Sequence, residues 1–179
     1  MKIIATKFKS EVIVFEKDFF GDDRGFFYEA FNSKWSEKIN RNFVQDNISY
    51  SKYGTLRGMH YQKEPFAQAK FVQVLKGEVF DVALDIRKDS KTFLQWHAEV
   101  LSEKNKRAMY IPEGFAHGFL VTSNEALFFY KCTNFYSKQD SIVIAWNDPE
   151  INIIWPFKPT ILSDNDKNGL TTSQLKEAN

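Results

Sequence analysis

The run AKFVQVLKGEVFDVALDI, residues 69–86, alternates aliphatic and aromatic residues with polar ones on both sides of Lys76-Gly77. A two-residue period marks a strand with one buried face, and a short glycine turn between two such runs predicts a β-hairpin. Outward from it the same pattern recurs at Val12–Phe15, Gly25–Phe31, Trp96–Leu101, Ala108–Ile111, Gly118–Thr122, Leu127–Thr133 and Ile142–Trp146. Helical windows are few. Ser33–Asn40 (SKWSEKIN) reads as one helix with Ser33 as its N-cap, and Thr171–Ser173 can open a short turn of helix near the end. Strands at this density predict an all-β sandwich or barrel.

The chain has 179 residues, enough for one domain with a substantial core, and no repeat, linker or low-complexity stretch divides residues 1–179. Eighteen phenylalanines predict an interior or an interface rich in rings. Net charge is +1 and no basic run is present, so neither nucleic acid nor a membrane surface is expected as a partner. The start, MKIIATKFKSEV, lacks an apolar signal core, and no stretch approaches 18 apolar residues. A single cysteine, Cys132, excludes an internal disulfide framework. Together these features predict a cytoplasmic, soluble protein.

Two of the three histidines stand in the most residue-specific segments. His60 lies in QDNISYSKYGTLRGMHYQ, residues 45–62, and His117 in IPEGFAHGF, residues 111–119. Both read as Gly-bounded turns beside arginine or aromatic residues, whereas His97 sits in a plain alternating strand. Histidine is the side chain suited to moving protons near neutral pH. Arg57, His60, Lys70, His117 and Tyr130 are polar where a barrel interior would need apolar residues. Gathered in one cavity they would be cationic and would attract an anion, of which a diphosphate is the obvious biological example.

Pro112-x-Gly114-x-x-His117 is similar to the second half-motif of the cupin barrel superfamily, whose histidines often hold metals. His60 is followed by Tyr61-Gln62 with no second imidazole, and two histidines without a converging carboxylate make a poor metal site. No metal is expected.

The chain resembles the dTDP-4-dehydrorhamnose 3,5-epimerase family of cupin-fold nucleotide-sugar epimerases. The likeness runs almost end to end: GDDRGFFYE from Gly21, the 45–62 segment, Gln68-Ala69-Lys70, GEVFDV from Gly77, and LSEKNKRAMYIPEGFAHGF from Leu101. It continues through Tyr130-Lys131-x-Thr133, Trp146-Asn147-Asp148-Pro149 and Leu162-Ser163-x-x-Asp166. The resemblance implies a cupin, or jelly-roll, β-barrel with a few short helices, working as a homodimer and without a cofactor. It implies a nucleotide-diphosphate 4-keto-6-deoxy sugar as substrate, inverted at carbon 3, carbon 5 or both. By the same resemblance His60 is the base and Asp166 its partner, Lys70 faces the carbon 4 oxygen, and Tyr130 returns a proton from the other face. Arg24 and Arg57 would grip the diphosphate, and Glu29, Gln45, Asn47, His117 and Tyr136 would line the rest of the cleft. Members commonly lend N-terminal strands to a partner, so Arg24 and Glu29 are expected at the neighbouring subunit's cleft.

Plainer readings stand beside these. Asp164 is a rival for the partner of His60, Tyr130 could be a core aromatic, and Arg24 could be a turn residue in a surface ion pair. Lys76 and Lys131 read as solvated. Two positions depart from the pattern of members that use dTDP. A Glu is usual five residues after the tyrosine equivalent to Tyr136, where this chain has Ser141, and Lys or Arg is usual where it has Asn165. Both fall toward the nucleotide, which leaves open dTDP or GDP, and hexose or heptose. A non-catalytic sugar-nucleotide binder, a metal-dependent cupin oxygenase and a 3,4-ketoisomerase are the competing functions on this fold.

Overall fold

The computed structural model describes residues 2–177. In chain order the elements are β1 (Lys2–Thr6), β2 (Lys9–Glu16), β3 (Phe20–Asp22), β4 (Gly25–Phe27), α1 (Ser33–Ile39), β5 (Gln45–Lys52), β6 (Leu56–Gln62), β7 (Lys70–Lys76) and β8 (Glu78–Asp85). They continue with β9 (Trp96–Ser102), β10 (Arg107–Ile111), β11 (Phe115–Val121), β12 (Glu125–Cys132), β13 (Ser141–Val143), α2 (Asp164–Lys167) and α3 (Thr172–Glu177). Two antiparallel sheets face each other in a cupin-like sandwich, with strand orders β1-β2-β10-β7-β12-β5 and β13-β6-β11-β8-β9; β3 and β4 form a separate ribbon. The expected all-β architecture with short helices is what the chain adopts.

The 69–86 run holds two strands, yet they do not pair. β7 hydrogen-bonds to β10 and β12, and β8 to β11 and β9, so the chain crosses from one sheet to the other at Gly77. Each strand is central in its own sheet and both its edges are already taken. Gly77 has φ of +81°, and a Cβ there would stand 1.9 Å from the carbonyl oxygen of Glu125, so this crossover admits only glycine. The alternation of β7 is also less clean in space than in sequence. Val72 and Val74 point between the sheets, while Phe71 packs outward against Phe15, Trp35 and Tyr110. Both faces of β7 are therefore covered. α1 supplies the outer cover, because Trp35 and Ile39 lie four residues apart on one helix face.

The core between the sheets is built from Val72, Met109, Ile111 and Phe128 on one side and Val79, Ala83, Leu101 and Phe119 on the other. On the far face of the second sheet, Met59, Val82, Leu84 and Ala116 pack against Ile144, Ile151, Ile153 and Leu175 from the C-terminal segment. That segment brings α2 back to β6. No helix among the described residues is long and apolar enough to cross a membrane.

Several local expectations are corrected. The strand expected over 25–31 ends at Phe27, the one expected over 142–146 is the shorter β13, and the N-cap of α1 is Asn32 rather than Ser33. The larger correction concerns the histidines. His60 is inside β6 and His117 inside β11, and the two are cross-strand partners, not turn residues. The glycines that suggested turns serve a close approach instead. Gly58 has φ of +140°, and a Cβ on it would lie 2.4 Å from the Cα of Gly118 across the strand pair. Backbone strain and overpacking act together there, so Gly58→Ala is expected to destabilise the fold by on the order of 3 kcal/mol. A urea unfolding midpoint within error of the parent protein would contradict this.

Candidate active site

Between the two sheets, inward-pointing rows that are apolar in mid-strand turn polar at one end. On β7 the row Val74, Val72 ends in Lys70; on β12 the row Ala126, Phe128 ends in Tyr130 and Cys132. β5 adds Gln45 and Asn47, which pair in register with Cys132 and Tyr130. From the opposite sheet β6 adds His60 and Gln62. The polar ends enclose a cavity of about 370 Å³, also lined by Gln68, Tyr136, Ser141 and Asn165.

His60 is held from behind. Its Nε2 lies 2.5 Å from Asp166 Oδ1, and Asp166 is almost fully buried. Ser163 caps α2 by accepting the Asp166 N–H at 3.1 Å, and its hydroxyl donates to Asp166 Oδ2 at 2.7 Å. The Gly58 N–H reaches Oδ1 at 3.4 Å. Burial alone would raise the Asp166 carboxyl. The hydrogen bonds from His60 and Ser163, with the His60 charge and the Gly58 N–H, outweigh it and hold the group below the ordinary aspartate value. Asp166 is thus an acceptor, which places the imidazole proton on Nε2 and leaves Nδ1 as the basic nitrogen. Asp164, the rival, has a side chain 92% exposed and pairs with Lys167.

Directly across the strand pair stands a second imidazole–carboxylate contact. His117 Nε2 lies 3.0 Å from both oxygens of Asp81, and both side chains are buried. Burial pushes the imidazole down, aided by Lys70 and His60, against the raising influence of Asp81. His117 is therefore neutral and donates to Asp81.

Lys70 points into the cavity and donates to the His60 carbonyl at 3.5 Å, linking the two sheets. Burial lowers its pKa, partly offset by Cys132 and Asp81. Tyr130 is moved the other way: burial, then Cys132, raise the phenol above its ordinary value, with Arg57 opposing. At neutral pH it keeps its proton.

Of the eleven residues expected in the site, His60, Lys70, Tyr130, Gln45, Asn47 and Tyr136 line the cavity and Asp166 backs it. The expected cationic lining is corrected in two places. Arg57 reaches from β6 toward β5, where its Nε donates to Ser51 Oγ at 3.0 Å, and His117 is buried behind the lining. Arg24 and Glu29 stand elsewhere. The Arg24 side chain is 90% exposed on the β3–β4 ribbon, paired with Asp22, and Glu29 is an exposed acceptor for Asn32. Lys76 is exposed and paired with Glu125, while Lys131, expected in solvent, is largely covered, paired with Asp46 and lies over the Phe31 ring. Gln62, Gln68, Cys132 and Asp81 were not expected here. Strand alternation from His60 to Gln62 and from Tyr130 to Cys132 is the signal that could have found two of them. Among the described residues, no group of three or more His, Cys, Asp or Glu could hold a metal ion.

The family described as dTDP-4-dehydrorhamnose 3,5-epimerase matches this sequence over residues 6–174. The chain belongs to that family. The dTDP-4-dehydrorhamnose 3,5-epimerase of Shigella flexneri is 55% identical over 172 residues, covering 94% of each chain. Among solved structures, dTDP-6-deoxy-D-glucose-3,5-epimerase from Legionella pneumophila, in complex with dTDP-4-keto-L-rhamnose, superposes with a TM-score of 0.92. It shares 44% identity and covers 99% of this chain and 94% of its own. The Bacillus anthracis dTDP-4-dehydrorhamnose 3,5-epimerase, solved with TDP and PPi bound, has a TM-score of 0.90 and 44% identity, over 95% of this chain and 98% of its own. Membership in the dTDP-4-dehydrorhamnose 3,5-epimerase family makes the chain an isomerase.

Proposed function

We propose that this isomerase inverts carbons 3 and 5 of a dTDP-linked 4-keto-6-deoxy sugar, with His60 as base, Asp166 as its positioning partner, Lys70 against the carbon 4 oxygen and Tyr130 as acid. One observation carries the division of roles: His60 and Tyr130 enter the same cavity from opposite sheets. A ketone at carbon 4 acidifies the protons on carbons 3 and 5. Nδ1 of His60 removes one, and the electron pair moves onto the carbonyl oxygen, where the Lys70 ammonium opposes the developing charge. Tyr130 then delivers its proton to the other face of the carbon, so the configuration inverts. Each step is a proton transfer or a charge set against an oxygen, and these three side chains supply both.

Tyr136, 62% exposed at the cavity rim, offers a stacking face for the nucleobase. Ser141 and Asn165 line the same cavity, so the two departures from the dTDP pattern replace charged side chains with neutral ones toward the nucleotide. The named activity of the 55%-identical relative favours dTDP. Turnover of the dTDP-linked keto sugar at a kcat/KM at least tenfold above its GDP-linked counterpart supports this choice, and the reverse order overturns it.

The pH profile follows from Lys70. Its ammonium is needed and burial lowers its pKa, so the charged form is lost as pH rises through the lowered value. Tyr130 is raised and does not titrate first. The alkaline limb of kcat is therefore expected below 10.5, the ordinary lysine value. Lys70→Arg, whose guanidinium stays charged, should move that limb upward while lowering the rate. A limb unmoved by this substitution would remove Lys70 from the role.

The β3–β4 ribbon carries Phe20, Phe26 and Phe27, all well exposed, around the equally exposed Arg24. Rings this exposed on a ribbon separate from both sheets are the composition of an interface. The proposal is a homodimer in which this ribbon brings Arg24 and Glu29 to the partner's cavity. A species of 20.9 kDa at micromolar concentration in light scattering would contradict it.

A further inference from the structure

Gln62 stands two residues beyond His60 on β6 and, like His60, lines the cavity. It is 7% exposed and its amide is fully used. Nε2 donates to the carbonyls of Phe66 at 2.6 Å and Phe135 at 3.1 Å, and Oε1 accepts the Ser137 N–H at 2.8 Å. A primary amide has two N–H donors, and both go to loop carbonyls that no strand ladder satisfies. One side chain thus ties two irregular segments, the one after β6 and the one after β12, to the strand that carries the base.

The second segment carries Tyr136. Its neighbours on both sides, Phe135 and Ser137, are the residues that Gln62 holds, and the Tyr136 N–H itself donates to Gln45 Oε1 at 3.2 Å. The two loops are also tied to each other, through Asn134 Nδ2 to the Pro65 carbonyl at 3.1 Å and Gln68 Nε2 to the Asn134 carbonyl at 2.7 Å. Without Gln62, the residues on both sides of Tyr136 would lose their ties to β6, leaving the Gln45 contact to hold the segment that carries the ring. We infer that Gln62 is a positioning residue for nucleotide recognition: it fixes the Phe135–Ser137 segment to β6 so that Tyr136 presents its ring at the rim of the cavity in which His60 works. This rests on the reading of Tyr136 as the nucleobase platform.

The test compares dTDP with inorganic pyrophosphate, which has no base, by calorimetry on Gln62→Glu, Gln62→Met and Tyr136→Ala. Gln62→Glu keeps the shape and the acceptor but loses both donors; Gln62→Met keeps the length without polar atoms and serves if the carboxylate prevents folding. Loss of buried hydrogen bonds of this kind predicts dTDP binding weaker by roughly tenfold in both Gln62 variants. Pyrophosphate binding should hold, and most of the kinetic loss should fall on KM rather than kcat. If Tyr136→Ala weakens dTDP while both Gln62 variants bind it as the parent does, Gln62 does not position the ring. An equal loss for pyrophosphate would mean a collapsed cavity and would likewise overturn the inference. If Tyr136→Ala itself leaves dTDP affinity unchanged, the platform reading fails, and the inference with it.

Discussion

His60→Asn should lower kcat by roughly 10²–10⁴-fold, the usual contribution of a positioned acid–base group, and abolish exchange of solvent deuterium into carbons 3 and 5 together. Asparagine fills nearly the same space and can still meet Asp166, so the loss reports the missing base rather than a collapsed site. Binding of dTDP should persist, because the nucleotide is proposed to lie toward Tyr136, Ser141 and Asn165, which line the cavity with His60. Asp166→Asn is expected to fall between the parent and His60→Asn: the amide no longer sets the proton on Nε2, but the imidazole remains. Asp164→Asn should be near the parent, since that carboxylate is in solvent beside Lys167. Retention of activity within about threefold in His60→Asn, against the 10² minimum expected of a general base, would remove His60 from the mechanism.

Tyr130→Phe separates two events that His60→Asn stops together. Proton removal by His60 and return to the same face exchanges deuterium without changing configuration. Inversion needs delivery from the sheet opposite β6, and Tyr130 on β12 is a protonated group there. The variant should therefore keep exchange at carbon 3 or 5 while losing most of the inverted product, again by about 10²-fold or more. The phenylalanine ring preserves the packing of Tyr130 against the inter-sheet core. If the ratio of exchange to inversion is that of the parent, a water molecule is the donor and Tyr130 merely packs.

Strand content was plain in the sequence because inter-sheet rows repeat every two residues, but pairing was not. The 69–86 run looks like a hairpin because a one-glycine link between alternating strands is local information, whereas the edges of β7 and β8 are claimed by β10, β12, β11 and β9 from distant sequence. The same limit applies to His60 and His117. Flanking glycines suggested turns, and only the close approach of β6 and β11 explains Gly58 and Gly118. The cavity's chemistry residues were legible through family resemblance, which named His60, Lys70, Tyr130 and Asp166. Gln62, Cys132 and Asp81 were missed because neutral, small or inward-facing side chains carry no charge pattern of their own. Arg24 and Glu29 are expected at a neighbouring subunit's cleft, and in the single chain Arg24 sits on the exposed β3–β4 ribbon with Glu29 just beyond its end.

The most direct measurement is the fate of carbon-bound hydrogen during turnover of dTDP-4-keto-6-deoxyglucose by the parent protein in deuterium oxide, read by proton NMR of the product. Two-face acid–base inversion through an enolate predicts one deuterium at carbon 3 and one at carbon 5, both centres inverted and the ketone still at carbon 4. Product carrying no deuterium at either carbon, or with its carbonyl moved to carbon 3, would contradict it.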